Sequence, residues 1–161
     1  MTVMSVEKDL ENLAVVLVAE FSAPVEKVWG LWTDPRKLER WWGPPDYPAT
    51  FEQHDLSAGS DVAYYMTSPT GDKYRGWWQI TSVTPPSEIT FVDGFADAEG
   101  NPNPALPTTN VTVTFTEQSG LTRMVMQSKY GSMEHLNQAV EMGMLQGIRL
   151  AADQMDALLA E

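Results

Sequence analysis

After Asn12 the chain alternates two sets of side chains: Leu13, Val15, Leu17, Ala19 and Phe21 share one side, and Ala14, Val16, Val18 and Glu20 the other. A period of two predicts a strand with its first set on a core, and the apolar character of both sets predicts burial on both faces. The period then changes. Ser22-Ala23-Pro24-Val25-Glu26 starts a helix, and Val25, Val28, Trp29 and Trp32 fall along one face of it. Asp34 as N-cap and Pro35 at the first helical position open a second, short helix that Gly43-Pro44-Pro45 forbids to continue. At that corner stand Trp41 and Trp42. Adjacent helical residues point about 100° apart, so one ring can enter a core while the other borders solvent or a cavity.

From residue 49 the helical period is lost. Phe51 to Leu56, Val62 to Thr67, Tyr74 to Val83, Glu88 to Phe95, Val111 to Thr116 and Leu121 to Tyr130 read as strands. Short turn signals such as Ser57-Ala58-Gly59-Ser60 and Gln118-Ser119-Gly120 separate them, which predicts an antiparallel meander. The connection from Ala96 to Asn110, with Gly100, Pro102, Pro104 and Pro107, is too long and broken for a hairpin turn and is a candidate lid. Ser132 to Ala160 shows apolar residues at spacings of three and four, which predicts one helix of about 40 Å. Gly143 and Gly147 inside it each cost about 1 kcal/mol against alanine, so close packing or a bound ligand is expected to offset them. Residues 1–9 are expected to form a disordered N-terminal segment, and 1–161 a single domain.

Composition narrows the chemistry. The 161 residues hold no cysteine, which removes disulfides, thiolate metal sites and cysteine nucleophiles and is compatible with a reducing cytosol. Two histidines, His54 and His135, stand far apart in sequence and outside any His-Glu-x-x-His helix, so no metal is expected. A formal net charge of −12 repels a phosphate backbone, and the ten basic residues form no stripe, so nucleic acid is not an expected partner. No run approaches the roughly 20 apolar residues of a bilayer span, and Met1 to Lys8 does not read as a secretory signal. A cytoplasmic protein without membrane insertion is the expectation.

The order of strand, two short helices, six strands and long terminal helix is that of the helix-grip fold, an α+β architecture in which a curved antiparallel sheet of six or seven strands wraps the helix. The residues go further: Phe21-Ser22-Ala23-Pro24-Val25-Glu26-Lys27-Val28-Trp29, Leu31-Trp32-Thr33-Asp34-Pro35, Trp41-Trp42-Gly43-Pro44-Pro45, Gly76-Trp77-Trp78, Pro85-Pro86 and Glu141-Met142-Gly143-Met144-Leu145-Gln146-Gly147 occur in one order. Over about Asn12 to Ala160 the chain resembles the START-like (SRPBCC) superfamily, in the branch of the C-terminal domain of the activator of heat-shock-protein-90 ATPase. It departs from that pattern at Ser57, where an arginine is common, and near Gly143-Met144, where many members carry a tryptophan. The resemblance implies a cavity between sheet and terminal helix. The eukaryotic co-chaperone also has a separate N-terminal domain, for which this length leaves no room, so a chaperone partner is not expected.

Strand parity and the inner helix face nominate Tyr64, Met66, Trp78, Met124, Met126, Met144 and Ile148 as walls of that cavity, and the corner position adds Trp42. Methionine adapts to varied shapes, and such pockets are mostly apolar, so the expected partner is a small hydrophobic or amphipathic molecule. The same side chains also suit plain core filling. No cofactor is expected, because the chain has no Gly-x-Ser-x-Gly elbow, phosphate-binding loop or Gly-x-Gly-x-x-Gly fingerprint. An enzyme of the cyclase or dehydratase kind, with His54, Tyr64 or an arginine moving a proton, is one alternative, and a regulatory interaction module another. Arg75, Arg123 and Lys129 are read either as anchors for an acidic head group or as a solvated outer face. A homodimer is compatible with the sequence, which carries no mark of one.

Overall fold

The computed structural model describes residues 3–161. Its strands are β1 (Val3–Asp9), β2 (Ala14–Phe21), β3 (Ala49–Gln53), β4 (Asp61–Thr67), β5 (Lys73–Thr84), β6 (Glu88–Phe95), β7 (Thr109–Gln118) and β8 (Leu121–Tyr130). The helices are α1 (Val25–Thr33), α2 (Pro35–Leu38), α3 (Met133–Glu141), α4 (Met144–Asp153) and α5 (Met155–Leu159). One eight-stranded sheet runs in the order β1-β2-β8-β7-β6-β5-β4-β3, every neighbouring pair antiparallel. The meander expected from residue 49 onward is present, and the first hairpin joins it beside its last strand.

Three expectations are corrected. The predicted disorder over 1–9 gives way, within the described residues, to β1, which pairs with β2 from Val3 opposite Ala19 to Asp9 opposite Ala14. Val6 packs against the core while Met4 and Glu7 are exposed, and this edge-strand mixture reads in sequence as a solvated tail. Leu13 belongs to the turn, not to β2. It adopts φ 53° where the chain reverses after Asp9, whose carboxylate accepts from Asn12 N at 3.2 Å.

The third correction concerns the terminal helix, which is three segments. Met142 ends α3, Gly143 takes φ +90°, and α4 starts at the next residue. A left-handed glycine just past a helix end is the usual stop, since only glycine enters that region without a Cβ penalty. A Cβ built on Gly143 would meet nothing within 4 Å, and one on Gly147 only Pro44 Cγ at 4.0 Å. Close packing therefore explains neither glycine. Gln154, between α4 and α5, donates from its side chain to the Gly43 carbonyl at 2.7 Å and ties the Trp41–Trp42 corner to the helix.

That corner is built as its sequence implies. Asp34 caps α2 by accepting from Arg36 N at 3.0 Å, with Pro35 in the first turn. Trp41 is fully buried and donates from Nε1 to the Leu31 carbonyl at 2.9 Å, whereas Trp42 is half-buried. Trp32 lies among them, its ring centroid 4.8 Å from that of Trp41, 5.9 Å from Trp42 and 6.1 Å from Trp78, while Trp42 meets the sheet directly at Trp78, 4.7 Å away. Trp78 stacks on Phe91 at 4.3 Å. Edge and offset pairs of this kind each contribute about 0.5–1.5 kcal/mol beyond the area they bury, so this cluster fixes where the helical corner meets the sheet.

Candidate functional site

Side chains alternate along each strand, so register decides which of them share the concave face. Met66 pairs with Tyr74, Tyr64 with Gly76, Gly76 with Phe95, and Trp78 with Asp93. Trp78 and Phe91 are core residues, so Tyr64, Met66, Tyr74, Asp93 and Phe95 also look inward. Towards one end of β4, β5 and β6 the cover stops. Tyr74 is 58% exposed and Phe95 47%, and Tyr47, 40% exposed, brings its ring within 6.2 Å of that of Tyr74. Large aromatic rings on the inner face of a curved sheet are thus open to solvent at one end of it.

A polar pair lies at the floor of this open end. The buried Tyr64 donates its hydroxyl hydrogen to Asp93 Oδ1 at 3.0 Å, and its ring passes over Gly76, where a Cβ would lie 2.5 Å from the ring. Glycine at 76 is what lets the tyrosine lie flat enough to reach across β5. Burial pushes the Asp93 carboxyl up to about 7, against the lowering effects of the Tyr64 hydrogen bond and the Gly94 backbone N–H. Tyr64 itself is driven well above the ordinary phenol value, first by burial and then by the nearby Asp93 charge. Tyr130 is pushed up to about 12, again by burial first and Asp93 second. The indole N–H groups of Trp42 and Trp78 come near enough to the Tyr64 oxygen to favour its ionised form, yet neither reaches hydrogen-bonding geometry, and both are buried without a partner. Unpaired buried donors are uncommon and costly, and here two of them flank the one acid–phenol pair.

The nominated wall residues divide. Trp42, Tyr64, Met66 and Trp78 come together around the pair described above. Met124 and Met126 are fully packed in the main core, and Ile148 packs against it. Met144 sits elsewhere, with Leu145 against Val15, Tyr130 and Leu136 in a smaller cluster. Asp93, Tyr74, Phe95 and Tyr47 were not foreseen. Asp93 alternates in step with Ile89 and Phe91, and a lone carboxylate on the apolar face of a strand was the available signal.

Other candidates resolve into structure. The His54 Nε2 lies 3.0 Å from the Trp32 carbonyl, and burial lowers the pKa of the ring. Arg75 is paired with Glu52 at 2.6 Å and Arg123 with Glu20 at 2.9 Å on the outer face. Asp55 accepts from Ser57 Oγ at 2.7 Å and from Ser60 Oγ at 3.3 Å, so two serine hydroxyls shape the turn at Ser57. The 96–110 connection folds back through an Ala96–Pro102 bridge and, with Trp77, Gly131 and His135, lines an open cleft of about 390 Å³ whose walls include neither Tyr64 nor Asp93. Among the described residues, no group of three or more His, Cys, Asp or Glu is placed to hold a metal, and no helix is long and apolar enough to cross a membrane.

A curved antiparallel sheet closed by helices from the end of the chain, with the two short helices after β2, defines the START-like helix-grip class. Within it, the chain belongs to the family described as activator of Hsp90 ATPase homolog 1-like protein, whose model matches residues 22–160. It is similar to protein Ms6760 from Mycobacterium smegmatis, a crystal structure with 47% identity and TM-score 0.90, covering 98% of this chain and 96% of that one. It is also similar to a protein from Arthrobacter aurescens solved by NMR, with 50% identity and TM-score 0.94 over 99% of this chain and 92% of that one. The fold alone is shared with DynU16, a putative protein in the dynemicin biosynthetic locus, at 19% identity and TM-score 0.63, covering 89% of this chain and 47% of that one. No curated protein matches the chain.

Proposed function

We propose that this protein binds a small hydrophobic or amphipathic molecule at the open end of the concave face, with Tyr64 and Asp93 as its polar contact and Trp42, Met66, Tyr74 and Phe95 as its apolar one. The observation that carries this reading is the solvent-open aromatic surface around a hydrogen-bonded acid–phenol pair. Pockets that take small molecules are mostly apolar with a few convergent polar groups, and this end of the sheet has both. The absence of cysteine suits a cytoplasmic setting for such a protein. Native mass spectrometry of the purified protein, followed by denaturation and identification of what is released, tests it. A stoichiometric apolar molecule supports the reading. An empty protein with no thermal shift across a lipid and aromatic library overturns it.

A second reading is proton-transfer catalysis of the cyclase or dehydratase kind. It is favoured by a carboxyl poised near neutrality beside a phenol, the usual condition for a general acid or base. Tyr64 and Asp93 would carry it in place of His54, whose ring faces the Trp32 carbonyl. Turnover of an aromatic polyketide-like substrate that is lost in Tyr64→Phe would support this reading, and a pH-independent residual rate in that variant would remove it.

A further inference from the structure

Among the described residues, the open end of the concave face holds one ionisable carboxyl and no cation to pair with it. Asp93 has Trp78 beside it on β5 and Thr109 on β7, and the concave positions of β4 to β8 at this end carry aromatic, methionine, glycine, serine and threonine residues. The nearby cations are committed to the opposite face. Lys73 Nζ stands 4.6 Å from the centre of the Tyr65 ring, and Arg75 is held by Glu52. The titratable groups facing Asp93 are Tyr64 from β4 and Tyr130 from β8, and no lysine, arginine or histidine is among the groups that shift it.

We infer that the ligand is an organic cation, an ammonium carrying an aromatic or alkyl substituent, whose charge lies against Asp93 and whose apolar part lies on Met66, Tyr74 and Phe95. This rests on the binding reading above and narrows it. A half-buried carboxylate without a counterion bears a desolvation cost that a bound ammonium offsets. The exposed rings of Tyr74 and Phe95, with Tyr47 beside Tyr74, attract the same charge, as aromatic cages do for alkylammonium groups. The net charge of −12 adds a long-range field that draws cations towards the protein. Carboxylate and phosphate head groups would meet Asp93 with no compensating cation, which argues against fatty acids and anionic phospholipids.

The test compares three probes with one tail, decyltrimethylammonium, decanol and decanoate, each below its micelle concentration and titrated by NMR against the intact chain. At pH 8 the ammonium should bind saturably at one site, about tenfold or more tighter than the alcohol, with decanoate weakest. Its advantage should shrink as the pH falls to 6 and Asp93 takes a proton, and it should vanish in Asp93→Asn while decanol affinity is kept. Should Asp93→Asn fail to fold, Tyr74→Ser at an exposed position should weaken the ammonium more than the alcohol. Equal affinities for ammonium and alcohol, or an ammonium preference that survives Asp93→Asn, overturn the cation while leaving an apolar site standing. Binding of none of the three removes both.

Discussion

The ring of Tyr64 occupies the space that a side chain at Gly76 would need: a Cβ there would lie 2.5 Å from Tyr64 Cζ and 2.6 Å from its hydroxyl oxygen. Gly76→Ala must therefore displace a buried ring that also donates to Asp93, and overpacking of this kind costs about 1–3 kcal/mol. Chemical denaturation of Gly76→Ala, Tyr64→Leu and the double variant checks it. The double variant should be more stable than the sum of the two single losses implies, because the alanine methyl then has room.

Asp93 makes stability depend on pH in an unusual direction. Its folded value of about 7 lies above the ordinary unfolded value, so between about pH 4 and 7 the native state holds a proton that the unfolded chain has lost. Stability from this group is full below about pH 4, falls as the pH rises to 7, and is flat above. At about 1.4 kcal/mol per unit, the ceiling is about 4 kcal/mol, lowered by the solvent that reaches this half-buried group. Melting curves from pH 4 to 9 should show Asp93→Asn losing that slope and exceeding the natural protein at pH 8.

Trp41 and Trp42 are neighbours for which the same substitution should have different costs. Trp41→Phe removes a buried hydrogen bond to the Leu31 carbonyl together with ring atoms, an expected loss of about 2–4 kcal/mol. Trp42→Phe removes an indole N–H that has no partner, and the expected loss is below about 1.5 kcal/mol. Urea denaturation of the two variants settles the comparison, and equal losses would contradict it.

The two glycines of the terminal helices should respond with opposite signs. Gly143→Ala puts a Cβ on a residue at φ +90° and should cost about 1–2 kcal/mol, although the space around it is open. Gly147→Ala sits inside α4 with its nearest neighbour at 4.0 Å and should stabilise by up to about 1 kcal/mol. Differential scanning calorimetry of the pair checks both signs.

Much of the architecture was legible because period and punctuation agree in β4 to β8, where each strand alternates and each short turn carries glycine, proline or serine, whereas the strand expected over Phe51 to Leu56 lies at Ala49–Gln53. The Trp41–Trp42 corner was legible for the same reason. The break at Gly143 was not, because apolar spacing continues across it from Val140 to Met144 while the backbone reverses hand for one residue. β1 was hidden by its place at the sheet edge, where only Val3 and Val6 face the protein. Of the site, Tyr64 and Trp78 followed from strand parity. Asp93 did not, since its meaning depends on a glycine one strand away that admits the Tyr64 ring. That relation is set by register, which a single strand does not display.

The place of β2 between β1 and β8 has a consequence for how the chain reaches this structure. Phe21 pairs with Thr122 and Ala14 with Lys129, so the inner edge of the first hairpin waits about a hundred residues for its partner. A ribosome adding residues from the N-terminus exposes that valine-rich edge until β8 has been made. Contacts so distant in sequence slow the closing step, and unpaired strand edges invite association with other chains meanwhile. Synthesis rate and crowding at the exit tunnel, more than final stability, should then decide how much of this protein is recovered folded.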